Sequence, residues 1–217
     1  MSDAYGSVSQ NRDATILATD TGRMTTATPP MVQSPRLGSL RIMADEVYAW
    51  AETKGWEPDP DRTFGDVIAL LHSEVSEALE AWRDWDKNLF GRVMLGKPEG
   101  VGSEFADVFI RLLHYCKVYG IDLKRAFLNN YGWEPEHPNS FGDACAYLHY
   151  GISNAFIAYL NAVDGEDVPE RVGAEFARLF ARLLQYCGKY GIDLQAEYDL
   201  KMKYNHTREY RHGGRSM

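Results

Sequence analysis

Cysteine is scarce in this chain of 217 residues. The three present, Cys116, Cys145 and Cys187, are odd in number and far apart, and no Cys-x-x-Cys pair occurs. That argues against a disulfide framework and fits buried free thiols in a reducing compartment. Positive charge is also in short supply, with 23 Lys and Arg against 31 Asp and Glu and a formal net charge of −8. Proteins that grip a nucleic-acid backbone usually carry a basic patch or stripe, so no nucleic-acid partner is expected. A single nucleotide is not excluded, because metal ions can mediate contact with a triphosphate. No apolar run approaches the ~20 residues of a membrane span, so no membrane partner is expected either. The N-terminus shows no basic stretch followed by an apolar run, so a cytoplasmic location is the expectation. A P-loop is missing, and no Ser-His-Asp or Cys-His arrangement is legible.

What is present is helical periodicity. Residues 1–37 are rich in Ser, Thr and Gly and hold Pro29, Pro30 and Pro35, with no sustained period. They read as a disordered tail or a leader of unknown use, and a chain starting at Gly38 is expected to fold and keep its activity. Order is expected from near Leu40, where Ile42, Val47, Trp50 and Ala51 recur at helical spacing up to a stop at Gly55. Asp61 or Thr63 can cap the next helix, expected from Phe64 to about Trp85. Its apolar stripe is Ile68, Leu71, Val75, Leu79 and Trp82. Residues 86–99 read as a loop carrying Lys87, Arg92 and Lys97. A third helix is expected from Gly100 to Tyr119, with the stripe Phe105, Val108, Leu112, Cys116 and Tyr119. Gly120 stops it, and Asp122 can cap a short helix ending near Asn130.

The chain then repeats itself. Phe64-Gly65-Asp66 returns as Phe141-Gly142-Asp143, and Leu71-His72 as Leu148-His149. Glu104-Phe105-Ala106 returns as Glu175-Phe176-Ala177, and Tyr119-Gly120-Ile121-Asp122-Leu123 as Tyr190-Gly191-Ile192-Asp193-Leu194. The expected architecture is an all-α bundle of two fused repeats, 38–138 and 139–217, imitating a dimer. Whole chains could pair further.

Two acidic pairs stand out in the first repeat. Residues three apart share a helix face, so Glu74 and Glu77 point together, as do Glu104 and Asp107. A solvated face is the ordinary reading of a lone Glu-x-x-Glu. Here each pair borders an apolar stripe on a core helix. If the helices pack face to face, four carboxylates converge. At an effective dielectric of about 20, two such charges about 5 Å apart repel by roughly 3 kcal/mol. Such a cluster calls for protons or a cation. In the second repeat Glu74 becomes Gly151, Glu77 becomes Asn154 and Asp107 becomes Arg178, while Glu104 becomes Glu175. The fold therefore does not require the acids. The last helix, expected from Asp193 to Thr207, presents Lys201, Asn205 and Arg208 on one face, and the stretch of the first repeat that corresponds to these three, Asn130 to His137, carries no Lys or Arg.

A di-iron bundle wants Glu-x-x-His on two helices. The chain offers only Glu134-x-x-His137, interrupted by proline, and Glu209-x-x-His212 in a Gly-rich tail. Mg²⁺, with Mn²⁺ as a substitute, fits an all-oxygen site better and completes its shell with water and phosphate. His72 and His149 occupy equivalent places and read as packing or hydrogen-bonding residues rather than catalysts. The tryptophans could stack on a base, yet aromatics at helical spacing are usually core.

Glu74-x-x-Glu77 followed by Glu104-x-x-Asp107 resembles the signature of the all-α nucleoside triphosphate pyrophosphohydrolases, the MazG-like superfamily. Lys97-Pro98-Glu99-Gly100 leading into Glu104, and Tyr204-Asn205-x-x-Arg208-x-Tyr210-Arg211-His212-Gly213-Gly214, resemble the same proteins. The resemblance covers about residues 40–215. It implies hydrolysis of a nucleoside triphosphate to monophosphate and pyrophosphate, with Mg²⁺ held by Glu74, Glu77, Glu104 and Asp107. It also implies that Lys201, Asn205 and Arg208, with Lys97 and Arg211, hold the nucleotide. The family often has Glu before the first of these acids, where this chain has Ser73. A dUTP-preferring enzyme of the dimeric all-α type and a catalytically inactive binding module are the alternatives. The complementary losses predict one composite site per chain, with acids from the first repeat and cations from the second.

Overall fold

A capping box opens each half of the molecule. In the computed structural model, which describes residues 34–57, 59–84, 92–94, 96–130, 132–162 and 167–214, Thr63 and Asp66 exchange side-chain and backbone hydrogen bonds at the start of one 20-residue helix. Ser140 and Asp143 do the same at the start of another. Such boxes satisfy two otherwise orphaned N–H donors. The element order is α1 (Leu40–Thr53), α2 (Phe64–Arg83), β1 (Arg92–Met94), β2 (Lys97–Glu99), α3 (Val101–Val118), α4 (Leu123–Asn129), α5 (Phe141–Leu160), α6 (Val168–Tyr190), α7 (Leu194–Thr207) and the single turn α8 (Arg211–Gly214). All described residues belong to one unit, Met31–Met217. None of the described helices is long and apolar enough to cross a membrane.

The bundle is all-α apart from one hairpin. The stretch 86–99 was expected as a loop; its end instead forms an antiparallel pair, Arg92 opposite Glu99 and Met94 opposite Lys97, across a turn at Gly96 with φ 84°. Three-residue strands carry too little periodicity to read from sequence. Residues 1–33, Trp85 and Lys87 lie outside the described residues, so the expected tail falls mostly beyond them. Order begins earlier than Leu40, since Pro35 is already buried.

α2 packs on α3 and α5, α5 on α6, and α3 on α1 and α7. Aromatic contacts run reciprocally between the halves. Phe64 stacks on Tyr159 and Phe141 on Trp82, both at 4.3 Å between ring centroids. Phe64 meets Tyr119 edge-on at 5.2 Å, and Phe141 meets Tyr190 the same way at 5.2 Å. Phe109 stacks on its own counterpart, Phe180, at 5.4 Å. Each such pair adds about 0.5–1.5 kcal/mol beyond the area it buries.

The C-terminal segment is strapped to the end of α1. The Lys54 amine donates to the carbonyls of His206 and Arg208 at 2.9 and 2.5 Å. The Trp50 indole donates to the Asn205 carbonyl at 3.0 Å, and Arg211 Nε donates to the Gly55 carbonyl at 3.0 Å. This strap fixes α7 against α1 and so sets where Lys201 points. Gly55 sits at φ 77°, and a Cβ there would lie 2.2 Å from the Tyr210 ring. Gly55→Ala should cost about 1–3 kcal/mol in chemical denaturation, through both the left-handed backbone and the clash. An unchanged denaturation midpoint would show that the strap is loose.

Candidate functional site

Glu74 and Glu77 stand mid-way along α2, and Glu104 in the first turn of α3. Gly100 caps α3 at φ 98°, a conformation that suits glycine. The positive end of the α3 dipole favours a carboxylate at Glu104. Oxygens of Glu74, Glu77 and Glu104 all lie within 4.8 Å of one another. Glu74 and Glu104 are buried, whereas Glu77 is exposed. The site thus has a buried floor and one acid at its mouth.

Asp107 faces a cation instead. Its Oδ2 lies 2.6 Å from the Lys201 amine, which also donates to Ser103 Oγ at 2.8 Å. Lys201 comes from α7, so the structure brings the second half's cation onto the first half's acids. Ser103 Oγ in turn donates to the Pro98 carbonyl at 3.1 Å, tying the pair to β2. On the other flank, Arg111 Nε donates to Glu74 Oε1 at 2.5 Å. The four carboxylates therefore meet two cations, which answers part of the expected repulsion. Protons answer more of it. Burial, helped by Asp107, Glu74 and Glu77 and opposed by Lys201, pushes the Glu104 carboxyl up to about 8. Burial also raises Glu74, with Asp107 and Glu77 adding to it and Arg111 opposing. Burial would lower the Lys201 amine, but Asp107 and Glu104 outweigh it and raise it.

The same places in the second half hold a closed set of pairs. Arg178, in the place of Asp107, pairs with Glu175. Arg182, in the place of Arg111, bonds both oxygens of Glu136 at 2.7 Å and stacks over Trp133. A Cβ on Gly151, which replaces Glu74, would lie 2.8 Å from Arg182 Nη1. The second half has given the volume of one acid to an arginine.

The remaining candidates fall in different places. Asn205 is buried one turn after Lys201, and its Oδ1 has no hydrogen-bond partner. Arg208 lies over the Tyr204 ring at 5.8 Å. Lys97 is exposed and pairs with Glu99 at 2.7 Å. Arg211 is bonded to the Gly55 carbonyl, a use in the strap that its basic neighbourhood in sequence did not suggest. His72 and His149 meet each other, Nδ1 to Nδ1 at 2.7 Å, in keeping with a hydrogen-bonding role. The four described tryptophans pack or bond within the protein: Trp50 on Asn205, Trp56 on His212, Trp82 on Phe141 and Trp133 on Arg182. All three cysteines are buried free thiols, and burial pushes the Cys145 thiol up to about 12.

Sequence reasoning gave Arg111 no partner, although its place four residues after Asp107 put it on the same face. It also passed over Glu57, whose carboxylate pairs with Arg62 and lies 3.2 Å from His114 Nε2. Burial works against that carboxylate, yet His114 and Arg62 hold it below the ordinary range. A cleft of about 360 Å³ lies towards the other end of α3, lined by Leu40, Arg41, Ala44, Lys117, Ile121 and Lys124 among others; none of the candidate residues lines it. Comparison with protein-family models, curated proteins and solved structures finds no match to this chain.

Proposed function

We propose that the chain is a Mg²⁺-dependent nucleoside triphosphate pyrophosphohydrolase of the MazG-like kind, built as a fused pseudo-dimer with one composite site. The observation that carries this reading is the Lys201 amine from α7 resting on Asp107 beside three converging carboxylates. The reciprocal aromatic contacts support the pseudo-dimer, because a two-fold interface pairs residue i with j and j with i. The donor set fits Mg²⁺ or Mn²⁺, since the converging ligand atoms are all hard carboxylate oxygens. Glu74, Glu77, Glu104 and Asp107 would hold the metal, which when bound would polarise the phosphorus and make a water nucleophilic at neutral pH.

The chain's own groups divide the remaining work. Arg111 holds Glu74 through one carboxylate oxygen, Oε1, and so fixes the orientation of that carboxylate beside Glu77 and Glu104. Lys201, once it leaves Asp107, would turn its charge to phosphate oxygens that the acids cannot serve. The unpaired Asn205 amide oxygen can accept from a hydroxyl or amine of the nucleotide. The packing around Glu74 and Glu104 keeps bulk water from their buried oxygens, which strengthens every charge interaction there.

A panel of ribo- and deoxyribonucleoside triphosphates with Mg²⁺, scored by product, tests this reading. Monophosphate and pyrophosphate should form in equal amounts, with dUTP included to examine the dUTP-preferring alternative. Release of single phosphate would assign a different bond, and no turnover of any triphosphate would favour an inactive binding module.

A further inference from the structure

The outer face of α5 is apolar where its counterpart on α2 is polar. Ala146, Tyr150, Ser153, Ile157 and Leu160 all face solvent. The three large ones remain 55%, 54% and 63% exposed. They recur at spacings of four and three, the pattern of a helix-pairing seam. The equivalent positions on α2 are Ala69, Ser73, Ser76, Glu80 and Arg83. Two copies of one helical position thus differ on this face, so the fold itself does not require apolar groups there. A patch of this kind marks an interaction site.

We infer that α5 pairs antiparallel with α5 of a second copy of this chain, joining two molecules through their second halves. The seam is complementary to itself in size. A two-fold axis beside Ala155 sets Tyr150 opposite Leu160 of the other copy, and Ser153 opposite its Ile157. Each layer then joins a larger side chain to a smaller one, and every exposed large apolar residue of the helix is used. Charge restricts where that occupant can dock. The chain carries a formal net charge of −8, so two copies repel across most of their surface. From Ala146 to Leu160 the helix, with its flanking Tyr147, His149, Asn154 and Phe156, holds no Asp, Glu, Lys or Arg; the Arg182 guanidinium that lies over the Tyr150 ring at 5.6 Å is buried and paired with Glu136, and burial together with His72 lowers the pKa of His149. This is where approach costs least, and it offers no charge pattern to select a different protein. One helix pair buries on the order of 1,000 Å² in all, the lower edge of specific interfaces, so association should be weak and concentration-dependent.

Sedimentation equilibrium of the full chain from about 1 to about 300 µM spans the affinity expected for such an interface. The expected result is a monomer–dimer equilibrium. Ile157→Glu and Tyr150→Glu should each weaken it by about 30-fold or more. Ile157 is exposed, so the melting temperature of the Ile157→Glu monomer should hold, whereas Tyr150→Glu also changes the contact with Arg182 and its association is compared at temperatures well below its own melting point. Adding Ser153→Lys to Ile157→Glu should recover part of the association, because the axis sets the two positions opposite each other. A monomer throughout the range overturns the proposal and leaves the face to a different partner. A dimer indifferent to both single substitutions overturns it as well, and failure of Ser153→Lys to recover any association overturns the antiparallel register.

Discussion

Glu104→Gln should leave the protein folded and almost without hydrolytic activity. The buried Glu104 carboxyl is pushed up to about 8, so without metal at neutral pH it is mostly protonated. Glutamine copies that neutral form in shape and hydrogen bonding. It cannot supply an anionic oxygen to a metal, and a loss of at least about 100-fold in turnover is expected, the scale of removing one electrostatic contact at a reacting phosphate. The sign of the pH effect follows from the direction of the shift. A carboxyl whose pKa is higher in the folded chain takes up a proton on folding. Its contribution to stability is complete below the ordinary carboxyl pKa and is lost as pH rises through about 8. The metal-free melting temperature should therefore fall between about pH 5 and pH 8, and the glutamine variant should flatten that fall. Mg²⁺ should raise the melting temperature of the native chain far more than that of the variant, since a ligand stabilises the state that binds it. Normal turnover by the glutamine chain would remove Glu104 from the site.

The parts of the molecule written in local chemistry were readable in advance. Thr63 caps α2 because a hydroxyl three residues before Asp66 is the ordinary way to start a helix. Gly120 and Gly191 end helices because each sits at positive φ, 66° and 70°. The repeat placed His72 and His149 in equivalent positions, and they meet in space. The acids were legible as a face because helical spacing is periodic. What depends on the third dimension was not. No spacing rule says that Arg211 turns away to the Gly55 carbonyl, or that Glu57 reaches His114 across a loop. Of the two cations at the site, Lys201 was expected beside the acids, though on the triphosphate rather than on Asp107, and Arg111 was the larger omission. A count of carboxylates alone predicts strong repulsion, whereas Arg111 takes Glu74 and Lys201 takes Asp107. Arg111 was within reach of the argument, since it shares a face with Asp107 and its repeat partner Arg182 has to find Glu136 once Gly151 offers no acid.

Lys201→Met should separate the two tasks of that lysine. Methionine keeps most of the volume and removes the charge. In the metal-free chain, Asp107 and Ser103 lose their partner. Breaking a buried pair costs about 3–5 kcal/mol, and the lower end or less applies here because the Asp107 side chain keeps 21% of its surface exposed. The variant should thus melt well below the native chain when metal is absent. Added Mn²⁺ should return more of that stability than it adds to the native protein, because no amine then competes with the ion for Asp107. Turnover should still drop by about 100-fold or more at saturating metal, as a phosphate contact is gone. Glu175→Ala supplies the control. Glu175 pairs with Arg178 in the second half and is not among the converging acids, and its loss should leave turnover near normal. If Lys201→Met hydrolyses triphosphates normally, the composite site is wrong even though its geometry is compact. If it is inactive yet gains no more from Mn²⁺ than the native chain does, Lys201 serves the fold and does not stand where the metal binds.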